Sequence, residues 1–374
     1  MVLKLCKELR AQARVVVYLL ARKGGRLREN GAALATSEAF PSFRAPRLRV
    51  LRAVGRFLSA TWDATVLLRA IIRIRPSICV MASGHALAHS ALVLLARATK
   101  ARVVVYVPLV DTYRAMGFRN ATCKEWFIRT IYSKIPHAWI TITQEQSRWF
   151  RTWANVKRPI FTLSNSVSPD IEAFANSANA DNRIPSDQPV YGTRIVRVLV
   201  LGRLDAHQKG LDLLLAYLER PTGLVDNFHF SIVGEGPFQE EIERRLKISE
   251  VLSRLVSLHG WGDAAQTMRQ HDILLIPSRF EGVPLVMLEA MAVGLPIVAS
   301  DIPGIRDYLP QSCLFPVGDI SRAVELMYEL RDVENYRRLM QRNLRVFLAC
   351  ASGAAFSKGV QSLTERLLQE CECV

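Results

Sequence analysis

The run Pro277 to Pro296, P-S-R-F-E-G-V-P-L-V-M-L-E-A-M-A-V-G-L-P, leaves the chain around it few options. Four apolar residues, Ile273 to Ile276, precede it and predict a buried strand. The run itself predicts a strand-to-helix turn and a helix ending at Gly294. Gly282, with no Cβ, lets backbone come close to a ligand. After Val283, Pro284 stands where the helix begins and its missing N–H costs nothing. The N–H groups of Leu285 and Val286 are then free donors at a positive helix end, a natural seat for an anion. Glu281 lies before that seat and Glu289 a turn or two past it. Eight helical residues span roughly 12 Å, about the reach from a sugar ring across a diphosphate to a ribose. The pattern therefore predicts a clamp for a nucleotide sugar; the alternative is a buried strand and helix with two incidental carboxylates.

A chain of 374 residues is too long for one ordinary core, so two domains are expected. Half the residues are apolar and 22% are charged, which fits a folded α/β protein. No run of eighteen uncharged apolar residues occurs, so no transmembrane helix is expected. The opening M-V-L-K-L-C-K-E-L-R interleaves charge with apolar residues and does not read as a secretory signal. Seven cysteines without a C-x-x-C pair, several in apolar runs, point to reduced thiols and a cytoplasmic location. Cys371 and Cys373 are too few for a metal site. The net charge of +15 is uneven: residues 1–193 carry 29 Lys/Arg against 11 Asp/Glu, and the remainder 20 against 23. One domain is thus expected to meet an anionic surface. No nucleic-acid motif accompanies the charge, so the inner leaflet of a membrane fits better than nucleic acid.

Val2 to Ala13 reads as an amphipathic helix, Arg14 to Leu20 as a strand and 24–46 as an irregular loop. A long basic helical pattern runs from Arg47 to about Arg73 and carries Trp62; it either lies on a membrane surface or packs on the first sheet with a solvated basic face. Strands are expected at Ser77–Met81, Arg102–Val107, Ala138–Thr143 and Ile160–Leu163, alternating with helices at 86–98 and 144–153. Loops after these strands place His85, Asp111 and Asn165 toward a cleft. The polar run 170–193 reads as the connection, giving a basic first domain at 1–175, a linker at 176–194, a second domain at 195–345 and a terminal helical segment at 346–374. Strands follow at 196–201, 228–233, 255–259, 273–276 and 296–300, with helices between and three more to the end.

Arg203 and Lys209, in G-R-L-D-A-H-Q-K-G after the first strand of the second domain, stand where a ligand in the cleft would meet it. Cations there stabilise a departing diphosphate, whose charge grows as the bond to it breaks. Gly202 opens that loop. Gly234 and Gly236, in G-E-G-P, form another strand-to-helix turn, by itself a weak signal. Trp261, after Gly260, either lines the site or is an ordinary core tryptophan.

These motifs together resemble the retaining glycosyltransferases of the GT-B fold, in particular glycosyltransferase family 4 (glycosyl transferases group 1). The resemblance runs through most of 195–345 and more faintly through the first half. It implies two Rossmann-like domains with parallel sheets facing across a cleft, and a last helix that crosses back to the first domain. It assigns Glu281 to the donor hexose and the reacting face, Glu289 to the ribose hydroxyls, Trp261 to the nucleobase, and Arg203 and Lys209 to the diphosphate. The implied reaction moves a sugar with retention from a nucleotide sugar, such as a UDP- or GDP-sugar, to a saccharide or lipid-linked acceptor in polysaccharide or lipopolysaccharide assembly. No cofactor or metal is implied, and the place of work is the cytoplasmic membrane face. Two departures stand out. The opening strand of the first domain looks missing, and Pro108 occupies a position where many relatives carry a histidine. Asp111 or His85 could take over on the acceptor side; alternatively Asp111 caps a helix and His85 sits at a helix start. A nucleotide-sugar epimerase and a degenerate, non-catalytic partner subunit are the competing functions.

Overall fold

The computed structural model describes residues 65–372, apart from 66, 70, 74–75, 100, 176–194 and 221–223. The expected opening helix, the Arg14–Leu20 strand, the 24–46 loop, most of the Arg47–Arg73 helix, the missing first strand and the 176–194 connection lie outside the described residues.

In the first half, β1 (Ile78–Ala82), α1 (Ser90–Arg97), β2 (Arg102–Tyr106), α2 (Ala121–Thr130), β3 (Ala138–Thr141), α3 (Gln144–Trp153), β4 (Ile160–Thr162) and α4 (Pro169–Ala175) follow in order. The strands form an all-parallel sheet in the order β1-β2-β3-β4. Apolar runs such as R-V-V-V-Y suit a strand covered on both faces, and four of the five residues in β2 are buried. Helix α2 was not anticipated. Its sequence A-T-C-K-E-W-F-I-R-T buries only Ile128, so it carries little apolar periodicity to read. Residues 170–175, taken from sequence as the start of the connection, are helical instead. Ile171 and Ala175, one turn apart, are buried and supply the packing that their polar neighbours obscure.

The second half runs β5 (Val196–Leu201), α5 (Ala206–Lys209), α6 (Leu211–Leu218), β6 (Phe228–Val233), α7 (Gln239–Ile248), α8 (Glu250–Leu255), β7 (Val256–His259), α9 (Ala264–Arg269), β8 (Ile273–Ile276) and α10 (Leu285–Ala292). It continues through β9 (Ile297–Ser300), α11 (Pro303–Arg306), β10 (Leu314–Phe315), α12 (Ile320–Glu329), α13 (Val333–Cys350) and α14 (Gly353–Glu372). Its parallel sheet has the order β10-β9-β8-β5-β6-β7, so the direction of winding reverses between β5 and β8. In a sheet wound this way, a crevice opens beyond the carboxyl ends of the strands at the reversal, and ligands bind there. Helix α10 is apolar nearly all round because it is covered on several sides, with α13 and α4 packed on it.

The two sheets turn their carboxyl ends toward each other, and loops from both meet. Asn165 Nδ2 donates to Val283 O at 3.3 Å, and Glu145 N donates to Asp307 Oδ2 at 3.0 Å. The chain then returns. On α14, Phe356, Val360, Leu363 and Leu367 recur at helical spacing and share one core with Phe161, Leu163, Val167 and Ile171 of the first half. Gly353 N donates to Glu172 Oε1 at 2.6 Å, and the Arg366 guanidinium lies 4.8 Å from the Phe161 ring centre. No helix of the described residues is long and apolar enough to cross a membrane.

Phe356 is 1% exposed in this shared core. Phe356→Ala is expected to destabilise the protein by roughly 3–5 kcal/mol, read as a lower urea midpoint. An unchanged midpoint would show that the terminal helix contributes nothing to the core.

Candidate active site

The crevice between β5 and β8 is built by two loops. The first, after β5, is residues 202–210. Asp205 caps the single turn α5, its Oδ1 accepting from Gln208 N at 2.9 Å, and Gly210 follows in the left-handed region at φ 66°. Gly234, after β6, packs so closely on this loop that a Cβ there would run into the Gly202 carbonyl oxygen. The second loop, 277–284, follows β8. A hollow at the reversal is lined by Gly202, Arg203, Lys209, Pro277, Ser278 and Val286, among others.

Lys209 and Glu281, given separate roles from sequence, are paired here. Lys209 Nζ lies 2.5 Å from Glu281 Oε1, with the side chains 19% and 9% exposed. Glu281 Oε1 also accepts from Ser278 Oγ at 3.1 Å, and Oε2 from Gln208 Nε2 at 3.4 Å. Arg203 is exposed at the rim of the same hollow. The N–H groups of Leu285 and Val286 open α10, where Pro284 is the capping residue at φ −60°, ψ 122°. The first intrahelical bonds are made by Met287 and Leu288, both to Pro284 O, which leaves those two donors directed out of the helix end. The structure thus brings the cations, the carboxylate and the helix start together, and it adds Gln208 and Ser278, whose polar side chains lie beside the motif residues without a spacing signal of their own.

Three expectations need correction. Helix α10 begins only at Leu285, so the rise of a helix does not describe the separation of Glu281 and Glu289. The close approach that Gly282 permits is to protein: a Cβ there would overlap the Pro108 carbonyl of the first half. Trp261 is 47% exposed, which rules out the core tryptophan. Gly236 lies against the Leu204 backbone as a tight turn requires.

Glu289 is half-buried on α10, and no partner for its carboxylate stands among the described residues. Burial raises its pKa above the ordinary 4.5. A hydroxyl-bearing ligand would supply the donors it lacks.

The acceptor-side candidates sit apart from this cluster. Asp111 is half-buried, and its Oδ1 accepts from Thr112 N at 2.6 Å. Burial raises its pKa, the Thr112 N–H works against that, and Glu125 adds to the rise. His85 Nδ1 is 2.9 Å from the Tyr113 hydroxyl, which also accepts from Leu87 N at 2.9 Å. The imidazole lies edge-on to Tyr113 and Phe118, and Lys124 Nζ is 4.2 Å from the Phe118 ring centre. Burial lowers the His85 pKa, with Lys124 and His89 adding to it, so the ring favours the neutral form. The two halves meet near here through His207, whose Nε2 is 3.2 Å from Ala115 O and whose ring packs on Phe280. Among the described residues no three His, Cys, Asp or Glu side chains gather as a metal site would need.

Residues 196–332 match the family model for glycosyl transferases group 1, so the second half contains such a domain. Among curated proteins, the chain is 27% identical over 159 residues to the putative glycosyltransferase EpsF of Bacillus subtilis, covering 42% of this chain and 40% of the relative. It is 27% identical over 128 residues to a UDP-Gal:alpha-D-GlcNAc-diphosphoundecaprenol alpha-1,3-galactosyltransferase of Escherichia coli, covering 33% of each. These matches span less than half the length of either relative. Across both halves the structure is similar to sucrose-phosphate synthase from Thermosynechococcus elongatus, with a TM-score of 0.66 and 17% identity, covering 87% of this chain and 82% of that one. The fold is GT-B, as the resemblance in sequence implied.

A raised carboxyl pKa means that the native state binds this proton more tightly than the unfolded chain. Stability from Glu289 is therefore present at low pH and declines as pH rises from the ordinary 4.5 through the raised native value. Glu289→Gln, neutral at every pH, is expected to melt at a higher temperature than wild type near neutrality, with the difference closing at about pH 4 and below. Equal melting temperatures throughout would mean that the carboxylate has a partner or is hydrated.

Proposed function

We propose that the chain is a family 4 retaining glycosyltransferase that moves a hexosyl group from a nucleotide sugar, a UDP- or GDP-sugar, to a saccharide or lipid-linked acceptor in exopolysaccharide or lipopolysaccharide assembly. The observation that carries this reading is the convergence of Arg203, Lys209 and Glu281 with the open end of α10 at the β5–β8 crevice. A nucleotide diphosphate needs fixed positive charge and N–H donors, and its sugar needs hydroxyl acceptors; this crevice offers both. The names of the two curated relatives, a putative glycosyltransferase and a galactosyltransferase, point the same way.

In this reading, Arg203, Lys209 and the N–H groups of Leu285 and Val286 bind the diphosphate, and their interaction strengthens as the glycosidic bond breaks and charge collects on the leaving oxygen. No metal is needed for that charge. Glu281 accepts from hexose hydroxyls and Glu289 from the ribose. Gly202, Gly234, Gly236 and Gly282–Pro284 shape the walls, and Trp261 lies at the nucleobase end. The acceptor enters from the Asp111 and His85 side and attacks the face from which the diphosphate departs. Nucleic acid has no part in it.

The basic excess of the first half supports docking on the anionic cytoplasmic face of a membrane. On α2 and just beyond it, Trp126 is 61% and Ile131 45% exposed, with Arg129 and Lys134 also at the surface.

Incubation with a panel of UDP-, GDP- and ADP-sugars should raise the melting temperature for one nucleotide class, since a ligand at a hundred times its Kd stabilises by about 2.7 kcal/mol. Lys209→Ala should lower kcat by about 10²–10³-fold with the preferred donor. Product from the donor alone, with no acceptor added, would favour an epimerase, and no shift with any donor would favour an idle partner subunit.

In flotation assays the protein should rise with vesicles containing phosphatidylglycerol and remain behind with phosphatidylcholine alone. Equal behaviour with both would remove the membrane from the proposal.

A further inference from the structure

Helix α5 is a single turn with no buried residue of its own, yet it ends on Lys209. Packing cannot hold such a turn, so its position must come from polar contacts. Three of them come from one residue on the opposite wall of the crevice, Arg279. Arg279 Nη1 and Nη2 lie 2.7 Å from Asp212 Oδ1 and Oδ2, a two-pronged pair. Nη1 also lies 3.1 Å from Ala206 O and 2.9 Å from His207 O, and Arg279 N donates to Gln208 O at 2.9 Å. Asp212 is a firm anchor. It stands in the first turn of α6, whose Leu211, Leu214, Leu215 and Leu218 are at most 1% exposed. Arg279 in turn is two residues from Glu281 in sequence, and Gln208 and Lys209 both reach Glu281.

We infer that Arg279 is a positioning residue that ties the loop after β5 to the loop after β8, holding Lys209 and Glu281 in register for a donor diphosphate. This rests on the donor reading above. The guanidinium is suited to the task because its planar fork meets a carboxylate at two points while still facing the carbonyls of α5. A lysine ammonium, a point donor on a flexible stem, cannot reproduce that set. Burial works against ionisation of Asp212, but the Arg279 hydrogen bonds and charge outweigh it and its pKa is lowered.

The test uses the full chain and three variants, Arg279→Lys, Arg279→Met and Asp212→Asn, the last keeping a neutral acceptor in place so that one folded variant remains if an Arg279 change is not tolerated. Circular dichroism and melting curves establish folding. Limited acetylation followed by mass spectrometry then compares modification of Lys209 with that of exposed Lys247. Lys209 should be modified severalfold faster in the variants than in wild type, with no rescue by Arg279→Lys. Titration with UDP and GDP should show binding weakened on the order of tenfold to a hundredfold, the scale on which small misplacements act. Wild-type modification rates in the folded variants overturn the positioning role. A wild-type protein that binds none of UDP, GDP or ADP overturns the donor reading instead, and the acetylation comparison still decides whether Arg279 fixes Lys209.

Discussion

The ion pair between Lys209 and Glu281 joins the two loops that flank the reversal of strand order, and the shape of the crevice follows from it. Partly buried ion pairs give little net stability, because desolvation offsets most of the attraction. Removing one member is another matter, since it leaves a charge without its partner in a poorly solvated place. An arrangement with this balance holds geometry more than it holds the fold. Here it keeps a cation and an acceptor side by side at the mouth of a helix whose first N–H groups have no internal partner. The sheet order brings the parts together, and the polar contacts set their spacing.

Much of the second half was legible from sequence because its strands are covered on both faces. V-R-V-L-V-L, F-H-F-S-I-V and I-L-L-I are nearly unbroken apolar runs bounded by glycine, proline or charge, and all three match the observed strands. The first half was less legible. Helix α2 presents Trp126 to solvent and buries one residue, so its pattern resembles a loop. The turn at Asp170–Ala175 is masked by the polar residues after it. In the site, residue types pointed to the right neighbourhood, but pairing could not be read. Nothing in the spacing from 209 to 281 says that these side chains touch, because the contact depends on β5 and β8 lying next to each other. Arg279 was hidden for the same reason: its partner Asp212 is remote in sequence and adjacent only across that strand pair. Gly282 shows the limit from another side, since its lack of a Cβ was legible and the Pro108 carbonyl that exploits it was not.

The loops around His85 and Asp111 have a different physical character. His85, Tyr113, Phe118 and Lys124 form an aromatic and cationic cluster in which the imidazole is kept neutral. Asp111 stands nearby, held to the Thr112 backbone. Apart from Lys124 on α2, these groups lie on loops rather than on regular elements, which is where differences in partner recognition concentrate.

The chain leaves the first half after Ala175 and comes back at Gly353, and the bond between Glu172 and Gly353 sets the two passages side by side. The last helix of the first half and the start of α14 are therefore neighbours. Any sliding of one half past the other would have to break the core shared by α4, α10 and α14 there. The contact of His207 with Ala115 is a separate tie between the halves, made outside that core.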